Sequence, residues 1–509
     1  MKFNTQFPCA PTRWLCAFFC LLTAAGVRAD LVVGSPFNDH MVLQRDRKVP
    51  VWGWATPNEK VTVAFAGQKI SVVAGKDGAW RVDLKPLSAS VESRTLTVSG
   101  ASRSVQAFKD VLVGEVWWCS GQSNMALTLW GAPRLANGAN REINGMLEAA
   151  MANEPLVRGA TVPNSWDAEP QKTGERLKWV AFKGGDLRSF SAISYYYALA
   201  LYRALQVPVG VVCSAWGGTV IQPWISSEGF DSVPVVAKVG RVKILPRLEK
   251  MGSVDAAALP EAKKKSLHQQ PTVLYNAMVA PYAPYAIRGV IWYQGESNIT
   301  GPEPYVDYMK ALYATYEKSF EHQDVPLEFV QIAPFHYDWL DKKYDAQTMG
   351  RFWESQARFA AEEKNAHMAI ICDVGEKDNI HPVEKRTVAL RLAALALHHT
   401  YGQANIPCES PVLRSHRLEK GVFTLEFDHV SAWYYRSKQP MRFEVAGADG
   451  KFVQAKVEVR GATICVSAPS VAAPCHLRYL WNWDWPGYLT NESGLPLGGF
   501  RIDEPTTAE

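Results

Sequence analysis

The stretch VLVGEVWWCSGQSNM, residues 111–125, joins a mostly apolar run to a polar tail. The apolar run is typical of a strand that is buried on both faces of a parallel sheet. It ends in Ser-Gly-Gln-Ser-Asn, which places Ser123 just beyond the strand. Because ligands of open α/β sheets bind beyond the carboxyl ends of the strands, the stretch predicts a central strand with a candidate nucleophile at its end.

Four more apolar runs have the length and composition of buried parallel strands. They are VPVGVVCS (207–214), IRGVIWYQ (287–294), LEFVQIAP (327–334) and HMAIICD (367–373). Apolar residues at helical spacing occupy three segments between and after them. These segments are 191–206, 305–320 and 383–399. Strands that alternate with helices predict a doubly wound α/β domain, here over residues 108–404. A segment rich in Lys, Glu and Ala near 225–270 is predicted to be a helical insertion on its surface.

Short alternating runs on either side of this domain predict two β-rich domains. Residues 30–107 contain several strand-like runs separated by turn residues, which is the pattern of a small β-sandwich. Residues 405–509 return to the same pattern. Residues 1–29 combine basic residues, an apolar run too short for a comfortable membrane span, and a small residue at the end. These features are typical of a secretory signal peptide.

Composition and charge narrow the classes of function. The net charge is +4 without a basic run, which argues against nucleic acid as a partner. No segment beyond the leader predicts a membrane span, so we expect an exported protein, secreted or periplasmic. No CxxC spacing indicates zinc. Of the six cysteines beyond the leader, the first three lie in strand-like runs and are predicted buried thiols, and a disulfide among the last three stays open. They are Cys119, Cys213, Cys372, Cys408, Cys465 and Cys475.

Two of the predicted strand ends carry the residues that serine-type ester hydrolysis needs, namely a hydroxyl, a base and an acid that orients the base. Ser123 supplies the hydroxyl. His381, in DVGEKDNIHP (373–382), supplies a base with an unperturbed pKa of about 6.5. Asp378 lies three residues before it, a spacing that lets the carboxylate reach the imidazole and stabilise the imidazolium. The fold is expected to bring both motifs to one rim of the sheet.

The oxyanion of such a reaction needs hydrogen-bond donors. The backbone N–H of Ser123, at the start of a predicted helix, is one candidate. Gly218, in SAWGGT (214–219), offers a second backbone N–H from a loop that no side chain blocks. The motif QGESN (294–298) offers the side-chain amides of Gln294 and Asn298, and these two stay open as alternatives.

Other interpretations of these motifs are weaker. Asp373 and Glu376 lie near His381 and would suit a metal loop, but no second His or Cys lies there at a ligand spacing. The segment GGT lacks the lysine of a phosphate-binding loop. Glu296 is interpreted as a partner of the catalytic residues rather than as an acid in its own right. We therefore predict neither a metal nor an organic cofactor.

Longer stretches of the chain resemble the sialate O-acetylesterase family of the SGNH hydrolases. The matching stretches are EVWWCSGQSNM, FSAISYYYALAL, GVVCSAWGGTVIQPW, VLYNAMVAPYAPYAIRGVIWYQGESN, FVQIAPF, DNIHPVEKRTVALRLAALAL and LTNESGLPLGGFRID. They run in order from about residue 31 to 503. The resemblance implies a flavodoxin-like sheet, a Ser123–His381–Asp378 triad and an oxyanion hole that includes Gly218. It implies no metal or organic cofactor.

The resemblance also implies an O-acetylated carbohydrate as substrate and an acetyl-enzyme intermediate. The matched stretches supply candidates for the substrate pocket, which are Gln122, Asn124, Trp216, Gln222, Asn276 and Glu296. Gln222 departs from the glutamate that the family often has there, which bears on the pocket rather than on the chemistry. Acetylated xylan or another polysaccharide is the alternative substrate. An inactive carbohydrate-binding protein, with NWDWPGY (482–488) as a binding feature, is the alternative from another class. Oligomeric state stays open.

Overall fold

The computed structural model describes residues 31–100, 105–131, 145–241, 266–337, 344–345, 347–376, 378–435, 437–482 and 487–503. The predicted signal peptide, most of the predicted helical insertion, and four residues of NWDWPGY lie outside the described residues. Within the described residues, no helix has the length and apolar character needed to cross a bilayer.

The N-terminal part is built from short antiparallel strands that lead into one long strand. The strands are β1 Val32–Val33, β2 Val42–Gln44, β3 Val49–Trp54, β4 Lys60–Phe65, β5 Gln68–Val73, β6 Ala79–Leu84, β7 Ser90–Ser99 and β8 Val105–Gly121. Strands β1, β3 and β6 form one sheet. The first half of β8 pairs antiparallel with β7, and its second half enters the central sheet. The predicted domain boundary at 107/108 therefore falls inside a continuous strand.

The central part alternates strands and helices. Its strands are β9 Asn153–Thr161, β10 Val180–Lys183, β11 Val209–Ala215, β12 Gly289–Tyr293, β13 Leu327–Val330 and β14 Ala366–Ala369. Its helices are α1 Ser123–Ala126, α2 Gly145–Met151, α3 Ala192–Leu205, α4 Ser227–Asp231, α5 Ala237–Gly240, α6 Val273–Met278, α7 Tyr305–Ser319, α8 Thr348–Glu362 and α9 Arg386–Leu395. A π-helical turn, Ala396–Thr400, continues α9. The three segments with helical spacing are confirmed as α3, α7 and α9.

The central sheet has the order β10-β9-β11-β8-β12-β13-β14. All neighbouring pairs are parallel except the edge pair of β10 and β9. The five predicted buried strands all lie in this sheet, and β11 and β12 are buried along their whole length. Helices cover both faces of a parallel sheet, so its strands are buried on both sides. This burial explains why their sequences are continuous apolar runs. The register pairs Ser120 with Ser214 and Gly121 with Tyr293, so three strands end side by side.

The C-terminal part returns to antiparallel pairing. Its strands are β15 Val412–Glu419, β16 Val422–Asp428, β17 Tyr434–Tyr435, β18 Phe443–Ala446, β19 Val453–Gln454, β20 Lys456–Arg460, β21 Thr463–Ser467, β22 His476–Tyr479, β23 Leu489–Thr490 and β24 Phe500–Asp503. They form two four-stranded sheets and one two-stranded sheet. The chain is thus an α/β protein with mixed sheets.

Polar contacts join the N- and C-terminal parts to the centre. Glu115, fully buried in β8, accepts hydrogen bonds from Arg45 and Arg288. Arg501 of β24 forms an ion pair with Glu354 of α8. The six described cysteines are all free thiols, and the predicted burial of Cys119, Cys213 and Cys372 is confirmed.

Candidate active site

A tight turn carries the chain from β8 into the short helix that begins at Ser123. Gly121 has φ +143°, and a Cβ built there would lie 2.1 Å from the carbonyl oxygen of Tyr293. Only glycine fits such an approach of two backbones. The N–H of Gln122 then donates to the same carbonyl, at 3.0 Å. The sharp turn places Ser123 at the end of the sheet rather than within it.

His381 lies on the loop after β14 and reaches Ser123 directly. Its Nε2 atom is 2.8 Å from the Oγ of Ser123, a hydrogen-bond distance. The carboxylate of Glu376 shapes this loop, because it accepts from the backbone N–H of Val383 at 2.8 Å and from the side chain of Asn379 at 3.2 Å. The backbone N–H of His381 in turn donates to the Oδ1 of Asn379 at 3.0 Å. Glu376 thereby holds the loop in the shape that presents the imidazole.

The environment of His381 keeps its imidazole neutral. Burial lowers the pKa of His381 to about 4, and the positive charge of Lys385 contributes to the lowering. Both effects disfavour the imidazolium form. At neutral pH the ring is therefore unprotonated and able to accept the hydroxyl proton of Ser123.

A buried lysine and asparagine clamp the backbone on both sides of His381. The Nζ of Lys385, which is 3% exposed, donates to the carbonyl of Pro382 and, at 2.9 Å, to the Oδ1 of Asn124. The side-chain amide of Asn124 donates to the carbonyl of Ile380 at 3.0 Å. Asn124 directly follows Ser123, so the clamp ties the loop of the base to the helix of the hydroxyl.

Glu296 completes this buried network. Its Oε1 accepts from the amide of Asn124 at 2.6 Å. Its Oε2 is buried and has no partner among the described residues. Burial raises the pKa of Glu296, while its hydrogen bonds and the charge of Lys385 act in the opposite direction. The expected role of Glu296 as a partner of other site residues agrees with these contacts.

A cavity of about 950 Å³ opens over Ser123 and His381. Five of the predicted site residues line it: Gln122, Ser123, Gly218, Glu296 and His381. The other lining residues are Ala126, Leu127, Thr128, Gly131, Gly217, Val220, Gln269, Ser297, Ile299, Tyr344 and Ile380. The lining is largely apolar, and its polar side chains include those of Ser123 and His381.

Two glycines, Gly217 and Gly218, also line the cavity. Gly218 has φ +75°, a conformation that side-chain-bearing residues rarely adopt. A Cβ built on Gly217 would lie 3.3 Å from the Cβ of Ser123, so this loop packs against the serine. Among the described residues, neither the N–H of Ser123 nor that of Gly218 donates a hydrogen bond. Both remain able to serve an oxyanion.

The two side-chain amides expected as oxyanion donors lie elsewhere. Gln294 is fully buried, and its Nε2 donates to the carbonyl of Thr219 at 3.1 Å and to the Oδ1 of Asn298 at 2.8 Å. Asn298 donates to the Oε1 of Gln222 at 3.1 Å and accepts from the N–H of Ile221. Neither lines the cavity. Both amides bind groups in or next to the loop at 219–222, and their expected role as oxyanion donors stays a prediction.

The remaining pocket candidates are not among the residues that line the cavity. Asn124 is enclosed in the clamp, and Gln222 supports Asn298. Asn276 donates to the carbonyl of Asp167 and stabilises α6 against a neighbouring loop. Trp216 stacks on His268, with ring centroids 4.8 Å apart.

Asp378 does not contact His381 in this structure. Its side chain is exposed, and it forms no hydrogen bond or ion pair with another described residue. The structure thus brings together two members of the expected triad, and the role of Asp378 stays a prediction. Two acidic residues near His381 have protein partners, since Asp373 forms a bidentate pair with Arg391 and Glu376 binds the backbone of Val383 and the side chain of Asn379.

Sequence reasoning missed Lys385, Gln269 and Tyr344. Lys385 lies four residues after His381 in a segment of helical spacing, where a lysine is ordinarily a surface residue. Gln269 reaches the cavity from the end of the predicted insertion, and its amide donates to the carbonyl of Gly218 at 2.8 Å. Only the proximity of His381 in the sequence signals Lys385.

Comparison with known proteins gives one consistent result. Residues 113–381 match the family model described as "Carbohydrate esterase, sialic acid-specific acetylesterase". The chain is 28% identical to the sialate O-acetylesterase of Homo sapiens over 89% of this chain and 87% of that protein. The corresponding protein of Pongo abelii is 30% identical over the same shares.

A solved structure agrees with the sequence relatives. The crystal structure of a carbohydrate acetylesterase from Xanthomonas citri has a TM-score of 0.78 and is 31% identical. The match covers 93% of this chain and all of that one. The chain therefore belongs to the sialic acid-specific acetylesterase family of carbohydrate esterases and is a carboxylic ester hydrolase.

Proposed function

We propose that the chain removes O-acetyl groups from sugars by serine catalysis. The observation that carries the proposal is the 2.8 Å contact between Ser123 Oγ and His381 Nε2, two residues that line the cavity. The Oγ of Ser123 attacks the acetyl carbonyl while Nε2 of His381 takes the hydroxyl proton. His381 then gives this proton to the departing sugar oxygen. Water, deprotonated by the same ring, releases acetate from Ser123.

The charge that develops on the carbonyl oxygen needs donors that are already in place. The free backbone N–H groups of Ser123 and Gly218 are the proposed donors, because both residues line the cavity. The clamp by Lys385 and Asn124 keeps His381 in position as charge moves. Asp378, the expected third member of the triad, has an exposed side chain here, so the mechanism assigns it no step and its place in the triad stays a prediction.

Charge in the cavity bears on the class of sugar. Among the described lining residues there is no Lys or Arg, and the carboxyl group of Glu296 is itself buried. The ammonium of Lys385 is held by Asn124 and Pro382 beneath the surface. A neutral acetylated sugar therefore suits the described lining better than a sialate, whose carboxylate would lack a cationic partner. An acetylated polysaccharide is the second candidate beside acetylated sialic acid, on which the named relatives act.

The proposal extends to organisation and location. We propose that residues 108–404 form the catalytic domain of the SGNH type, with a flavodoxin-like sheet flanked by β-sandwich-like domains. The sheet order and the position of Ser123 at the end of β8 support this assignment. We also propose that residues 1–29 direct export, on the composition of that segment.

Acetate release from two substrates tests the proposal. The purified chain is given O-acetylated sialic acid and acetylated xylan in parallel, and the Ser123→Ala variant is measured beside it. Ser297→Ala is the matched control, since Ser297 lines the same cavity without contacting His381. We expect release by the parent chain, none by Ser123→Ala, and continued turnover by Ser297→Ala.

The two substrates separate the two sugar classes. Faster release from acetylated xylan would support a neutral substrate, and faster release from the sialate would contradict the argument from cavity charge. Equal activity of the parent chain and Ser123→Ala on either substrate would refute the proposed mechanism.

A further inference from the structure

A second cluster of reactive side chains lies at the other end of α9 from His381. It consists of His398, His399, Cys408 and Glu409 and is called here the 398–409 cluster. Ligand atoms of the two histidines and the cysteine all lie within 4.8 Å of one another. α9 spans ten residues, so about 15 Å of helix separates this cluster from the catalytic loop. We propose that the 398–409 cluster binds one Zn²⁺ ion, independently of the function proposed above.

The distances from Cys408 to two other members of the cluster are close to those of a tetrahedral zinc site. The Sγ of Cys408 lies 3.9 Å from the Nε2 of His399 and 3.8 Å from the Oε1 of Glu409. Zinc bonds of about 2.0–2.3 Å place neighbouring ligand atoms about 3.3–3.8 Å apart. His399 and Glu409 now share a direct hydrogen bond of 2.5 Å. A bound ion replaces that bond and requires these two atoms to move apart by less than about 1 Å.

The partners of the two histidines resemble the surroundings of metal ligands. The Nδ1 of His398 donates to the carbonyl of Ile406 at 3.1 Å, which leaves its Nε2 free. Metal-binding histidines ordinarily donate their other ring N–H to a carbonyl or carboxylate in this way. The ring of His399 stacks on that of His367, with centroids 3.7 Å apart and planes at 4°. The rings of His398 and His399 are therefore each held in a fixed orientation.

A buried acid beside the cluster provides a second, independent observation. Glu328 is fully buried, and both of its carboxyl oxygens lack a partner in the described part of the chain. It pairs in register with His367, the residue that stacks on His399. Buried carboxyl oxygens without partners are costly. A nearby cation would offset that cost.

The chemistry of the donors selects zinc. A thiolate combined with imidazole suits Zn²⁺, whereas Mg²⁺ and Ca²⁺ prefer all-oxygen sites. The two histidines and the cysteine supply three ligands, and Glu409, which already contacts His399 and Cys408, is the side chain that would turn inward to close the shell as in a structural zinc site. On binding, the Zn–S bond forms and the thiol proton of Cys408 passes to solvent. The ion would brace the π-helical turn against the loop that follows it.

Metal titration of the full chain tests the proposal. The protein is freed of metal with a chelator and titrated with Zn²⁺ against a chromogenic competitor, and Co²⁺ then serves as a spectroscopic probe. The variant is Cys408→Ser, and the matched control is Cys475→Ser, another buried thiol, located outside the cluster. We expect one equivalent of Zn²⁺ in the parent chain and the control, and a thiolate-to-Co²⁺ charge-transfer band in both.

The variant separates this site from adventitious binding. Cys408→Ser is expected to bind Zn²⁺ at least about tenfold more weakly and to lose the charge-transfer band. Unchanged affinity or a retained band in Cys408→Ser would overturn the proposal. Should that variant not fold, Glu409→Gln provides the same comparison of affinity. A parent chain that binds less than half an equivalent overturns the proposal without any variant.

Discussion

Replacing Lys385 with methionine removes a buried charge and one half of the clamp on His381 while keeping a similar side-chain length. The charge of Lys385 lowers the pKa of His381, so its removal raises that pKa. The base works only when neutral, and activity is therefore lost as the pH falls through the pKa of His381. Lys385→Met should move the acid limb of kcat/KM to higher pH.

The structure sets the size of both effects. Burial is the larger cause of the lowering from 6.5 to about 4, and Lys385 is the smaller. The acid limb should therefore rise by no more than about one pH unit. The variant also loses two hydrogen bonds, and this loss does not depend on pH. The buried acceptor oxygens of Asn124 and Pro382 are left without a donor, which costs about 1–3 kcal/mol of stability each. Misplacement of His381 should lower kcat about 10- to 100-fold even at about pH 8.

The assay is kcat/KM for acetate release across the pH range, with kcat at about pH 8 and the melting temperature measured in parallel. Lys178→Met is the matched control, since the side chain of Lys178 is 85% exposed. If kcat/KM of the variant falls at the same acid pH as that of the parent chain, and kcat at about pH 8 is unchanged, Lys385 does not act on His381. A limb that moves to lower pH would contradict the sign of the electrostatic argument.

Three further variants test single residues of the site. Asp378→Asn should reduce kcat less than about tenfold, because the exposed side chain does not contact His381. A loss near 10⁴-fold, as for a buried triad aspartate, would show that Asp378 orients His381 during turnover. Gly218→Ala should lower kcat at least about tenfold, because the added side chain shifts an N–H that is proposed to bind the oxyanion. Gly494→Ala is the control, since Gly494 has a similar φ of +78° and equal space for a side chain; it should lower only stability, by about 1 kcal/mol. Gln294→Ala should mainly lower the melting temperature, because it leaves two buried acceptors without their hydrogen-bond donor. An unchanged melting temperature with a 10²- to 10³-fold loss in kcat would instead support the expected role of Gln294 as an oxyanion donor.

The sequence predicted the central sheet well because buried parallel strands have a strong local signal. Five long apolar runs became five of its strands, and their shared carboxyl ends brought Ser123 and His381 within hydrogen-bond distance. Two strands were missed. β9 and β10 are short or mixed in polarity, and β10 pairs antiparallel at the edge, where alternation replaces a continuous apolar run. The start of the central domain could not be located either, because β8 passes through it without a break.

The directions of individual side chains were the part that the sequence did not determine. Gln294 and Asn298 follow a strand end, as an oxyanion donor would, yet their amides bind the loop at 219–222 from a distant part of the chain. Lys385 has the sequence context of a surface lysine, and its burial depends on the contact with Asn124, 261 residues away. Such contacts arise from tertiary packing, which local patterns do not encode.

Covalent trapping with a serine-reactive phosphonate ester tests the central claim most directly. The intact chain is incubated with the reagent, its mass is measured, and the modified peptide is located by sequencing. We expect one adduct per chain on Ser123, loss of acetate release in proportion to labelling, and no adduct in Ser123→Ala. The reagent should label Ser123 more slowly in His381→Ala, because that variant lacks the base that activates the serine. An adduct on another hydroxyl such as Ser297, or full acetate release from a chain labelled at Ser123, would contradict the assignment of the nucleophile.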